Sequence, residues 1–308
     1  MSDVALPALR ERWLQLSGNS RGALWMLASG LVFSVMALAI KLLGQRLDNL
    51  QIGFFRVAVG FIAILPFVAR AGWSQIRTQH LHVHIIRAVF GLLAMYCSYY
   101  AIAHIPLADY TALSFTKPLF ATFLAVVILH EVVRWRRWTA TAVGFVGVIV
   151  MVRPGATAFQ PAALAALVEA FSIAFLVTLV KRLPARETTT GMLFHFGLFA
   201  SVLSIAPAVY AWQWPTAFEW FLLISVGVLG AMAQSCWIRS FRCGDASVVA
   251  PFDYLRLLFA GSVGFAVFGE LPTVWTLAGA GVIVTSTLYI AHREAQLSGT
   301  VRPDGLRR

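Results

Sequence analysis

Ten runs of roughly twenty mostly apolar residues, joined by short connectors, constrain this chain more than any other feature. They fall at 22–44, 49–69, 84–103, 108–130, 137–153, 159–180, 190–211, 219–239, 246–268 and 273–292. About 20 apolar residues carry an α-helix across a bilayer core, so each run is a candidate membrane span. No polar stretch between them is long enough to fold as a separate soluble domain. Residues 1–21 read as a short cytoplasmic segment and 293–308 as a disordered cytoplasmic tail. The first run is too long for a signal-peptide core and lacks a small-residue cleavage site, so it is expected to be retained.

The mean hydropathy of +0.79 and a charged fraction of 12% exclude an ordinary soluble enzyme. The formal charge of +11 would by itself suggest nucleic-acid binding. The positions of the basic residues give another reason for it. With the N-terminus placed inside, 18 of the 24 Lys and Arg residues fall in inside segments, among them Arg10, Arg12, Arg21, Arg134, Arg136, Arg137, Lys181 and Arg182. Only Lys41, Arg46 and Arg153 fall outside. This bias holds through ten spans and follows the rule that cytoplasmic loops collect positive charge. The expectation is a multi-pass inner-membrane protein with both termini cytoplasmic, whose partner is the lipid bilayer, with no nucleic acid. A homodimer is compatible with it.

The chain also repeats itself. PLADYTALSFTKPLFATFLAVVILHE (106–131) matches GDASVVAPFDYLRLLFAGSVGFAVFGE (244–270), with Ala108 set against Ala246 and one residue of slippage. Both segments end on a glutamate, Glu131 and Glu270, and lead to a tryptophan, Trp138 and Trp275, and a small-residue-rich helix. The repeat divides the chain into 22–153 and 159–292, with five spans each. An odd number per half forces opposite orientations, the arrangement of many secondary transporters.

On Phe54–Arg56, Ala101–Ala108 and Phe268–Glu270 with Trp275, residues 22–292 resemble the drug/metabolite transporter superfamily in its EamA-type ten-helix form. Within it, Gly44–Arg56, Arg134–Gly147 and Ala250–Leu258 resemble the S-adenosylmethionine and riboflavin uptake carriers. The resemblance implies an all-α fold of two inverted five-helix repeats, with spans 5 and 10 as peripheral scaffold. It also implies a permease that moves a small organic metabolite by alternating access and needs no cofactor.

Ionisable side chains deep in a bilayer are costly and mark functional interiors. There are five: Arg56, Lys117, Glu169, Asp253 and Arg256. Pro118, next to Lys117, cannot donate to the carbonyl of Ser114, and irregular backbone at this depth lines cavities. The residues therefore read as a substrate or coupling-ion site. Structural pairing is the competing reading: Asp253 with Arg256, three apart on one face, and Lys117 with Glu169. Tyr96 and Tyr100 on the third span, set opposite Gln234 and Trp237 on the eighth, would give an aromatic wall suited to a flat or cationic solute. His195 could relay protons or bond a neighbouring helix.

Other signals are weak. Cys97, Cys236 and Cys243 read as buried small residues, and His80, His82 and His84 as a loop tract near the headgroups, so no metal is expected. Glu131 and Glu270 read as anchors for loop hydrogen bonds. Ala140–Gly144 and Trp275–Gly279 suit close helix packing. No nucleotide-binding or hydrolase motif is present, which leaves a carrier ahead of a lipid-linked sugar flippase, a membrane receptor or assembly protein, or an intramembrane enzyme.

Overall fold

Local chemistry sets the helix starts. In the computed structural model, which describes residues 16–72, 76–130, 135–153, 161–180 and 189–299, the first helix, α1 (Gly18–Leu43), is capped by the Ser17 hydroxyl, which accepts from the Ser20 amide at 3.2 Å. The second, α2 (Asn49–Ala71), is capped by Asp48, which accepts from Leu50 N–H at 2.8 Å. After α3 (Leu81–His104) the fourth span divides into α4 (Leu107–Ser114) and α5 (Lys117–Leu129). The first half closes with α6 (Trp135–Val152). The second half holds α7 (Pro161–Val180), α8 (Thr189–Tyr210), α9 (Ala217–Cys243) and the one-turn α10 (Ala246–Val249). A tight 3₁₀ segment over Ala250–Leu255 leads into α11 (Arg256–Phe268), and α12 (Val274–Gly299) is the last helix among the described residues. A reciprocal capping box between Thr216 and Glu219 starts α9. Eight spans meet the length and hydropathy a bilayer crossing needs, and Trp138–Val152 and Val274–Ile290 are shorter apolar helices that complete ten. The protein is a multi-pass membrane protein, and no strand occurs among the described residues.

The inverted repeat is visible in which helices touch. α1 packs along α9 as α7 packs along α3. Likewise α2 meets α9 as α8 meets α3, and α11 meets α1 as α5 meets α7. The pairs α2–α8 and α6–α12 map onto themselves when the halves are exchanged. Small residues permit the closest approaches. Ser29 Oγ donates to Ala233 O at 2.9 Å across α1–α9, and a Cβ on Gly22 would lie 2.9 Å from Ser240 O. In the α6–α12 pair a Cβ on Gly147 would lie 3.0 Å from Gly279 O, and one on Gly279 only 2.7 Å from Gly147 O. This contact uses Gly147 rather than Gly144, which instead faces Leu119 of α5.

The structure corrects the sequence reading in three places. The ninth span, expected to be continuous over 246–268, is in three pieces. Pro251 stands at the start of its 3₁₀ segment, the tighter winding takes up the irregularity, and apolar composition gives no sign of it. Helix α12 continues through 293–299, which the sequence reading assigned to the tail; 300–308 lie outside the described residues. His84 belongs to α3 and is fully buried, not part of a loop tract. Glu131 lies outside the described residues.

Candidate functional site

Two interrupted helices dominate the interior. In the fourth span, Phe115 and Thr116 amides turn back to Ala112 O and Leu113 O at 3.1 and 3.0 Å, which ends α4. Lys117 then opens α5, with Pro118 in the first turn where no N–H is needed. In the ninth span the 3₁₀ segment ends at Leu255 and Arg256 opens α11. Each half of the protein thus sets a basic residue at the start of a half-helix within a span.

The two cations have different surroundings. Lys117 Nζ lies 2.9 Å from Glu169 Oε1 on α7, so this pair of the competing reading is formed. Glu169 is 4% exposed, and its other carboxylate oxygen is buried without a hydrogen-bond partner. Arg256, by contrast, forms no ion pair with Asp253 among the described residues, although the two are three apart. Its guanidinium donates to Ser114 Oγ at 3.0 Å and lies over the rings of Phe115 and Phe33 at 5.2 and 5.6 Å. Cation–π contact and a neutral hydroxyl hold Arg256 without cancelling its charge. Asp253 sits half-buried on the 3₁₀ segment.

Between these groups stands Tyr110, which sequence reasoning missed. Its hydroxyl is 2.6 Å from Ser98 Oγ, and it is within electrostatic reach of both Glu169 and Arg256. The only sequence signal was its place seven residues before Lys117, two turns along the same span. Tyr254 joins from the second half, its ring tilted against Phe115 with centroids 4.7 Å apart and its hydroxyl 2.5 Å from Thr287 Oγ1.

Arg56, on α2, makes no hydrogen bond or ion pair with any described residue. Its guanidinium fills the space where Gly230 lacks a side chain, so that a Cβ there would collide with it, and Nη1 lies 3.0 Å from where a Cβ on Gly60 would stand. Buried Tyr99 is within its electrostatic reach.

The remaining candidates lie elsewhere. The Tyr96 backbone carbonyl accepts from Asn49 Nδ2 at 3.0 Å, and its buried hydroxyl faces Ser204 outside hydrogen-bonding geometry. Tyr100 packs against His104 of its own helix with the rings tilted and their centroids 4.1 Å apart. Gln234 and Trp237 are exposed on α9, and Trp237 packs edge-on to Phe241 at 4.8 Å. Helix α9 packs on α1 and α2, and its repeat-mate α3 on α7 and α8. His195 is brought to His84, with rings stacked 4.6 Å apart, and its Nδ1 is 2.8 Å from Gly191 O. That stack lies toward the α3 and α8 starts, away from the helix breaks.

At the end of the bundle where α1 finishes, Lys41 was read as an outside loop charge but is buried. It pairs with Glu270 and donates to Ile105 O at 2.8 Å, while Glu270 Oε2 accepts from Leu107 N–H at 3.0 Å. Glu270 therefore anchors a loop, as the sequence suggested. Beside it, Arg46 donates bidentately to Glu219, with Nε at 2.6 Å, and to Trp214 O at 2.9 Å. That contact raises the Arg46 pKa above its ordinary value. Among the described residues no group of three or more His, Cys, Asp or Glu side chains is disposed to hold a metal.

An inverted repeat with broken helices and uncancelled charge in its spans defines the class of membrane transport proteins. The chain belongs to the EamA-like transporter family, whose model matches residues 20–153 and 160–291. Among its relatives, an S-adenosylmethionine uptake transporter of Rickettsia bellii is 34% identical over 279 residues, covering 91% of this chain and 96% of the relative. A riboflavin transporter of Vibrio cholerae is 31% identical, covering 90% and 95%. A pseudopaline exporter of Pseudomonas aeruginosa is 29% identical, covering 88% and 96%. One crystal structure superposes with a TM-score of 0.60 at 21% identity, over 89% of this chain and 99% of the other, which bears on the fold.

Proposed function

We propose that this protein is a secondary carrier of the inner (plasma) membrane that moves an S-adenosylmethionine-like metabolite by alternating access. The observation that carries the reading is the pair of interrupted helices, one in each inverted half, which set Lys117 and Arg256 at span depth. Half-helix starts carry partial positive charge and, in carriers built from inverted repeats, face the solute. Lys117, Glu169, Asp253, Arg256 and Arg56 form the polar part of the site. Tyr110, Phe115, Phe33 and Tyr254 supply aromatic surface suited to an adenine ring or a sulfonium. The similarity to S-adenosylmethionine uptake transporters supports this solute over riboflavin, whose named carrier is the more distant of the two.

The excess of Lys and Arg in alternate loops supports a cytoplasmic side for both termini. Without a nucleotide-binding motif, the driving force is a gradient, the membrane potential or exchange. The solute leaves unchanged, so the protein is not an enzyme.

The test is saturable flux of radiolabelled S-adenosylmethionine in sealed vesicles containing purified protein. Lys117→Ala and Asp253→Asn should abolish flux while both variants still insert and fold. Wild-type rates in both would overturn the site assignment.

A further inference from the structure

Arg56 is oriented against the usual habit of its residue type. It lies about 10 Å into α2 from the helix start, near enough to an interface for its head to reach water there. Helical side chains lean toward their own N-terminus, and long basic ones near a helix end snorkel to the headgroups. Both tendencies would draw Arg56 toward the α2 start. It points the other way. Its Nη1 lies beside Gly60, a turn further into the span, and the guanidinium occupies a notch made by Gly230 at the middle of α9. A side chain on either glycine would restrict this path, and one on Gly230 would block it.

The guanidinium has five N–H donors and, among the described residues, no acceptor for any of them. A charge in a span is normally cancelled or turned to water. In the same protein Lys117 has Glu169 and Lys41 has Glu270, so the fold does set carboxylates against buried or half-buried cations. Among the described residues neither Arg56 nor Arg256 receives one: Arg256 has a hydroxyl and two rings, and Arg56 has no such contact.

We propose that Arg56 is the docking group for a carboxylate on the transported solute, which supplies the bidentate acceptor the protein withholds. The inference rests on the carrier reading above and narrows its substrate class to solutes with a carboxylate. The α2–α9 notch fixes the direction of the fork, and Arg256 adds to the positive potential that draws the anionic end inward.

The test uses two probes that differ in one group: S-adenosylmethionine and its decarboxylated analogue, which keeps the sulfonium and the adenosine. Apparent affinities are measured by competition for flux in vesicles with wild type, Arg56→Met, Arg56→Lys and Gly230→Ala. Wild type should prefer the carboxylate-bearing probe by about tenfold to a hundredfold, the worth of a charge-assisted hydrogen-bonded pair. Arg56→Met should bring the ratio of the two affinities to about one by removing the donor group. Arg56→Lys should retain part of the preference. Gly230→Ala leaves the arginine in place but displaces its head, and should also lower the ratio. If Arg56→Met does not fold, the lysine and Gly230 variants carry the same comparison.

A wild type that does not distinguish the probes, or an Arg56→Met that weakens both equally, overturns the carboxylate assignment and leaves the carrier standing. Flux of riboflavin, which has no carboxylate, with neither adenosyl probe competing, also overturns it. Absence of flux for all three solutes in wild type marks instead the failure of the carrier reading, and the assignment falls with it.

Discussion

Replacing Lys117 by methionine leaves the Glu169 carboxylate facing an apolar neighbour. Glu169 is the deeper partner: its side chain is 6% exposed against 29% for Lys117, and one of its oxygens already lacks a hydrogen bond. Removing one member of a buried ion pair costs about 3–5 kcal/mol, because the other charge remains desolvated. Partial exposure of the lysine argues for the lower end, ~3 kcal/mol, or roughly a 150-fold shift in the unfolding equilibrium. The reverse change, Glu169→Gln, should cost less, about 1–2 kcal/mol, since the ammonium it strands can still reach water. Removing both charges, as Lys117→Met with Glu169→Leu, should recover the loss to within ~1 kcal/mol. The assay is equilibrium denaturation of the four proteins in one detergent, read by tryptophan fluorescence. Transport should be lost in all three variants if the pair also touches solute. A double variant no more stable than Lys117→Met, or a Glu169→Gln at least as damaging, would refute the claim that carboxylate burial sets the energetics. A double variant that transports normally would show the pair to be a structural bolt.

Two further outcomes follow from the packing. Glu270→Ala should destabilise by about 3 kcal/mol, as it strands buried Lys41 and the Leu107 amide together, while Glu270→Gln, which keeps an acceptor for the amide, should cost about half that by the same denaturation measurement. Gly279→Val should force α6 and α12 apart and cost about 1–3 kcal/mol by the same denaturation measurement.

Span positions, their number and the division into two halves could be read from hydropathy and the repeat. Bilayer thickness fixes span length, and a second copy of a pattern is visible to inspection. The sequence also named Lys117 and Glu169, but only packing of α5 on α7 could show that they meet. Asp253 and Arg256 show the opposite case. Their spacing suited a pair, yet two aromatic rings and Ser114, distant in sequence, hold the guanidinium instead. Pro118 signalled its helix break because a cation stood beside it, while Pro251 stood among apolar residues and gave no such cue. Lys41 looked like a topology marker since a residue's burial at a span end depends on which loop folds over it. The direction of Arg56 rests on a glycine 174 positions away, and no local pattern carries that.

The helix pairs that map onto themselves have a mechanical meaning. If the halves exchange roles between two states, every contact off the symmetry axis must swap with its counterpart: α1–α11 takes the form that α5–α7 had, and the reverse. The α2–α8 and α6–α12 pairs have no counterpart to swap with, so they can stay closed throughout. In such an exchange they would be the axle about which the rest turns, with the glycine crossing of α6 and α12 lying on it. A lysine–glutamate pair stands on each side of that axle, but not at matching places: Lys117 of α5 meets Glu169 within α7, while Lys41 at the end of α1 meets Glu270 just beyond α11. An exchange of roles between the halves would therefore not trade like for like, because the two ion pairs sit at different depths of the bundle.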